Sequence, residues 1–99
     1  MWTGTLRMDL LLGDVRSLKQ KRSAVRPIVA ELHRKFDVAA AEAGHLDLHL
    51  RTFVGVAVVA PDATHCRTVL DACERLVAGR PEVELLSARQ RLWNDEEDE

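Results

Sequence analysis

The sequence predicts an α+β sandwich in the order strand, helix, strand, strand, helix, strand, and three observations carry that prediction. Apolar residues alternate with polar ones from Trp2 to Leu12. Two later stretches repeat apolar residues at helical spacing, each behind a side chain suited to cap a helix. Between them, Arg51 to Ala60 is apolar on both parities, as in a central strand.

In the first strand, Trp2, Leu6, Met8, Leu10 and Leu12 share a face opposite Thr3, Thr5, Arg7 and Asp9. Gly13 and Asp14 break it. Ser17 then starts a helix as a capping box, because Gln20 stands three residues on and can reach back to an orphan backbone donor. Leu18, Val25, Ile28, Val29, Leu32 and Phe36 form its apolar stripe. Pro27 removes a donor and crowds the carbonyl of Ser23, so a kink or a separate short first turn is expected there.

Asp37 to Ala43 reads as a weak edge strand, and Gly44 to His49 as a loop or strand extension. Pro61 ends the apolar strand and Asp62 caps the second helix, whose stripe is Cys66, Val69, Leu70, Cys73, Leu76 and Val77. Gly79 is expected as its left-handed cap, with Pro81 barring continuation. Glu82 to Trp93 closes as the last strand, and the acidic end after it is expected to be disordered. Residues 1–93 thus form one ferredoxin-like βαββαβ domain with an acidic tail at 94–99. Its four-stranded sheet is of antiparallel type, with both helices on one face. Right-handed crossovers put the first and third strands at the centre, expected parallel to each other, with the fourth antiparallel beside the first and Trp93 near Trp2.

At 99 residues the chain is long enough to bury a core without a metal or disulfide. Its net charge of −2 hides an asymmetry. Through Phe36 there are eight Lys and Arg against three acids; beyond it, six against thirteen. With no apolar run of about 18 residues, neither a membrane span nor a signal peptide fits, and the cytoplasm is the expected compartment. Cys66 and Cys73 lie about 10.5 Å apart along a helix axis, too far for a mutual disulfide, and read as small buried hydrophobes.

Cations cluster at the start of the first helix. At about 100° per residue, Lys19, Arg22, Arg26 and His33 fall beside the apolar stripe, and Arg16 and Ser17 precede them. Such a strip is either a solvated flank or an anion-binding surface. The positive end of the helix dipole and the free N–H groups near Ser17 favour a phosphate there.

Three stretches together carry a family resemblance: SLKQKRSAVRPIV at 17–29, Glu42 with HLDL at 45–48 and Arg51, and VGVAVVAPDATHC at 54–66. On these the chain resembles the DUF503, or YlxP-like, family of small bacterial proteins of unknown function. It departs from that pattern at His49, where Trp is often found. The resemblance implies a ferredoxin-like fold and a cytoplasmic bacterial protein whose genes often lie near those for translation initiation and ribosome maturation. It implies no established reaction.

Other chemistry is less well supplied. His45, Asp47 and His49 alternate, so an extended strand would place them on one face as two or three weak metal ligands. His65 reads as a first-turn helix residue. A phosphate-binding small enzyme would use the loop from Gly13 to Arg22, which lacks a glycine-rich phosphate pattern; no nucleophile elbow or zinc helix is present elsewhere. No catalytic residue and no cofactor is implied. RNA recognition by stacking on the central strands is disfavoured by Thr5, Arg7 and Asp9 facing outward, so RNA contact would run through phosphates on the strip. A homodimeric interaction or scaffold module is the further alternative, because either Val54, Val56 and Val58 or Phe53, Ala57 and Val59 must face away from the helices. The preferred expectation is a non-enzymatic accessory protein of translation or ribosome assembly. Arg16, Ser17, Lys19, Arg22 and Arg26 would bind RNA or a ribosome-associated protein.

Overall fold

The computed structural model describes residues 1–95. Its elements follow in the order β1 (Trp2–Leu12), α1 (Leu18–Lys35), β2 (Ala39–Gly44), β3 (Arg51–Ala60), α2 (Ala63–Ala78) and β4 (Val83–Asn94). The four strands form one sheet in the order β2-β3-β1-β4. The weak segment after α1 is therefore an edge strand as expected, although its alanines by themselves favour a helix.

β1 and β3 are central, but they run antiparallel, with Leu6 opposite Val56 and Met8 opposite Val54. The expectation that they are parallel is wrong for a topological reason. The crossover through α1 makes β1 and β2 parallel; β3 then reverses direction through the β2–β3 connection before it inserts between them. β4 is antiparallel to β1, with Thr3 opposite Trp93. Trp2 and Trp93 are thus ladder neighbours on opposite faces of the sheet.

Strand periodicity decides which face is covered. Leu6, Met8, Leu10 and Leu12 of β1 and Val54, Val56, Val58 and Ala60 of β3 are buried beneath the helices. Phe53, Ala57 and Val59 take the open face, where Val59 is 63% exposed. Ile28 and Leu32 from α1 and Cys66, Leu70, Cys73 and Val77 from α2 close the core. Gly4 lets α2 approach β1, since a Cβ there would lie 3.0 Å from Leu70 Cδ1 and 3.3 Å from Cys66 Cβ. Both cysteines are buried free thiols, and burial pushes the Cys73 thiol up to about 11.

α1 is a single helix across Pro27. Pro27 and Ser23 are both exposed, so the carbonyl that loses its helical donor can bond to water. α2 begins at Asp62, whose carboxylate accepts the His65 N–H at 2.7 Å. It ends at Gly79 with φ −83° and ψ −3°, a right-handed conformation. The left-handed cap expected there does not form. The Gly79 N–H instead continues the helical pattern onto the Arg75 carbonyl at 3.1 Å. β4 runs to Asn94, one residue past the expected end, and the Asp95 N–H donates to the Met1 carbonyl at 3.3 Å. The rest of the expected acidic tail, 96–99, lies outside the described residues. Among the described residues, no helix is long and apolar enough to cross a membrane.

Candidate functional site

The start of α1 is shaped by its own side chains. Ser17 is the N-cap, with φ −155° and ψ 164°, and its Oγ accepts the Gln20 N–H at 3.1 Å. Gln20 reaches back as expected, but its Oε1 accepts the N–H of Arg16 at 2.6 Å, one residue before the cap. One first-turn donor is therefore already engaged by Ser17, which leaves fewer backbone N–H groups for an anion and gives the cationic side chains the larger share of any attraction.

Those side chains do not form one strip. Arg22, Arg26 and His33 share a groove with Val25, Val29, Ala30 and Glu42 along the α1 flank that faces β2. Lys19 and Ser17 belong to a separate depression at the β1–α1 corner, with Gly13, Asp14 and Gln20. Arg16 precedes the helix and is exposed. No acidic side chain among the described residues pairs with Arg16, Lys19, Arg22 or Arg26. His33 serves the fold, since its Nε2 accepts the Ala40 N–H at 3.0 Å and so caps a backbone donor of the edge strand.

The residue that sequence reasoning missed is Lys21. It is 2% exposed, and its ammonium donates to the carbonyls of His45 at 2.5 Å and Leu48 at 2.6 Å while pairing with Glu42 Oε2 at 2.9 Å. Three ammonium protons meet three acceptors, which is what allows a lysine to be buried. Glu42 Oε2 also accepts the hydroxyl of buried Thr52 at 2.6 Å. The signal for this was in the sequence, because Lys21, Val25, Ile28 and Leu32 follow helical spacing and all four are buried.

This clamp explains the loop. His45 takes φ 55°, and the Leu48 N–H donates to the His45 carbonyl at 3.0 Å, so 45–48 is a turn that aims two carbonyls at Lys21. His45, Asp47 and His49 accordingly lie outside any strand, and the shared face expected of them does not exist. Among the described residues, no group of three His, Cys, Asp or Glu is placed to hold a metal ion. The His45 ring instead stacks on Phe53, with centroids 4.3 Å apart and planes at 18°. The Arg7 guanidinium lies 3.8 Å from the same Phe53 centroid. Two groups so close to one ring must take its two faces, so Phe53 is sandwiched between them. Gly44 accommodates the ring, since a Cβ there would sit 2.6 Å from Phe53 Cδ2. Beside this stack Arg51 pairs with Asp9 at 2.5 Å, and that hydrogen bond raises the Arg51 pKa against the opposing effect of desolvation.

Two of the three stretches that carried the resemblance are thus joined in space, SLKQKR through Lys21 and Glu42 with HLDL as its acceptors. The sheet order, the two helices on one face and the bare opposite face define a ferredoxin-like sandwich. Among solved structures, a de novo designed protein with a ferredoxin fold aligns with 97% of this chain and 88% of its own at a TM-score of 0.55 and 10% identity. A mutant of SnoaB, a cofactor-independent oxygenase from Streptomyces nogalater, aligns with 95% and 93% at a TM-score of 0.51 and 10% identity. Likeness at that identity shows the fold alone.

The chain belongs to the family described as "Protein of unknown function (DUF503)", which it matches over residues 3–90. The "Uncharacterized protein YlxP" of Bacillus subtilis (strain 168) is 28% identical to it over 81 residues, covering 82% of this chain and 88% of that protein.

Proposed function

We propose that this chain is a non-enzymatic accessory protein of translation or ribosome assembly that holds RNA phosphates, or an acidic ribosomal partner, on the exposed cations of α1. The observation that supports this reading is the contrast in how cations are used. Lys21, Arg51 and Arg80 are engaged by acids, whereas Arg16, Lys19, Arg22 and Arg26 stand exposed without an acidic partner among the described residues. An unpaired cationic flank on a chain of net charge −2 favours an anionic partner at that flank. The phosphate-binding enzyme has less in its favour, since the β1–α1 depression is walled partly by the Asp14 carboxylate and excludes Arg16 and Arg22.

The test is filter binding of RNA from the native host over a range of salt. Affinity should fall steeply with salt, and each neutralised contact should lower the log–log slope by roughly one. Lys19→Glu with Arg22→Glu should abolish most binding. Undiminished binding by the double variant overturns the reading.

A second reading, a homodimer joined along β2, is favoured by the exposed alanines 39, 41 and 43 on that edge strand. Sedimentation at micromolar concentration decides it, a monomer excluding the dimer.

A further inference from the structure

The open face of the sheet has an uneven relief. Where β2 and β3 lie side by side, Ala41 stands opposite Gly55 and Ala39 opposite Ala57, so two consecutive cross-strand pairs carry nothing larger than a methyl group. Strands are about 4.8 Å apart and same-face neighbours about 6.8 Å apart, so this floor is close to the footprint of a small fused ring system. Around it larger side chains stand up, with Phe53 and His45 closing one end and Arg7 rising from β1 beside the shorter Thr5. The result is a concavity of about 660 Å³, within the size range of small-molecule sites.

One strand further on, the register adds charge. Arg7 of β1 is directly opposite Arg89 of β4, and Thr5 is opposite Arg91. Like charges facing each other across a ladder are destabilising. Arg7 leans away over Phe53, and none of the three has an acidic partner among the described residues. Asp9, two residues from Arg7 on the same face of β1, is already held by Arg51.

We propose that this open face binds a small organic anion with a flat ring body. The ring lies on the floor of Ala39, Ala41, Gly55 and Ala57 and the negative group meets Arg7, Arg89 and Arg91. The floor supplies contact area without side-chain entropy to lose, and the arginines supply the charge that their own fold leaves unanswered. A second copy of the chain fits poorly, because face-to-face pairing would bring two arginine groups together. The site is on the opposite side of the sheet from α1 and rests on no part of the RNA reading.

Gly55 makes the test clean. A Cβ at Gly55 would meet only Ala43 Cβ, at 3.5 Å, which is ordinary contact, and a β-branched residue suits a strand. Gly55→Val should therefore fold at least as stably as the parent while filling the floor. The probes are 1-naphthoate and adenosine monophosphate, with uncharged naphthalene-methanol and adenosine as controls, and binding is followed by isothermal titration calorimetry. The expected result is binding of at least one anion, with its uncharged analogue weaker by about tenfold. Gly55→Val should abolish binding with an unchanged or higher thermal midpoint, and Arg89→Gln should weaken it and reduce its salt dependence. Which anion binds separates a free aromatic acid from a nucleotide as the source. No binding of either anion at millimolar concentration, or equal binding by Gly55→Val, overturns the proposal. So does a parent dimer that Gly55→Val converts to monomer, which would assign the face to a second copy.

Discussion

Lys19 and Lys21 stand two residues apart in one motif and meet opposite environments. Lys21 is sealed between α1 and the turn at 45–48, every proton engaged; Lys19 is exposed with no acidic partner among the described residues. Two residues on a helix differ by about 200° of azimuth, so a basic run cannot present all its charges to one partner. Charge alone therefore says little about role; helical phase decides whether a lysine holds the fold or is available to a ligand.

The sharpest way to break this contrast is to remove the sealed cation. Lys21→Ala should cost about 3 to 5 kcal/mol in denaturant unfolding, because the Glu42 carboxylate loses its counter-charge and the carbonyls of His45 and Leu48 lose the ammonium inside the protein. In a double-mutant cycle with Glu42→Gln the two losses should be less than additive. A loss under about 1 kcal/mol would erase the distinction between the flanks.

The apolar stripe beside Lys21 gives the reference scale. Ile28→Ala and Leu70→Ala, both at fully buried positions, should each cost about 2 to 5 kcal/mol. If Lys21→Ala falls far below them, the clamp is an ornament on a core that holds without it.

A smaller and pH-dependent effect belongs to Glu31. Its hydrogen bond with Arg80 holds the carboxyl below its ordinary value of 4.5, aided by Lys35 and opposed by desolvation. A carboxylate lowered in the fold stabilises above its ordinary value, and that contribution disappears as pH falls through the lowered one. Arg80→Ala should therefore melt lower than the parent at pH 7 and converge with it in acid, with the Glu31 carboxyl moving up by NMR titration. Parallel melting curves at all pH values would remove this pair from the stability of the α1 end.

The least effect on folding is expected on the exposed flank. Lys19→Glu with Arg22→Glu should move the thermal midpoint by no more than about 4 to 8 °C, since solvated charges contribute about 0 to 1 kcal/mol and 1 kcal/mol corresponds to a shift of that size in a domain this small. A large drop would show that these residues share in the fold as Lys21 does.

The architecture was legible because each element announces itself locally: alternation in β1, capping at Ser17 and Asp62, and the two apolar stripes. What failed depended on relations between elements. The direction of β3 follows from the reversal after β2 and not from any residue within β3. The conformation of Gly79 follows from where the chain goes next. The cationic strip looked continuous on a helical wheel, yet β2 on one side and the β1–α1 corner on the other divide it into two depressions. Lys21 was hidden by its own chemistry, since its buried position could be read from spacing but its acceptors are two backbone carbonyls 24 and 27 residues away. The open-face arginines were invisible for a related reason: Arg7 and Arg89 become neighbours only through the β1–β4 register.

The clamp also bears on how the molecule breathes. A six-residue connection between two strands would ordinarily open at little cost and exchange its amides quickly. Here the Leu12 N–H donates to the Leu50 carbonyl at 2.8 Å, and Lys21 holds the carbonyls of His45 and Leu48. The connection cannot lift without unsealing a charge and loosening the first turns of α1. The segment 45–50 and the start of α1 therefore form one cooperative unit, and the Leu48 amide should exchange on the timescale of the helix instead of that of a surface loop.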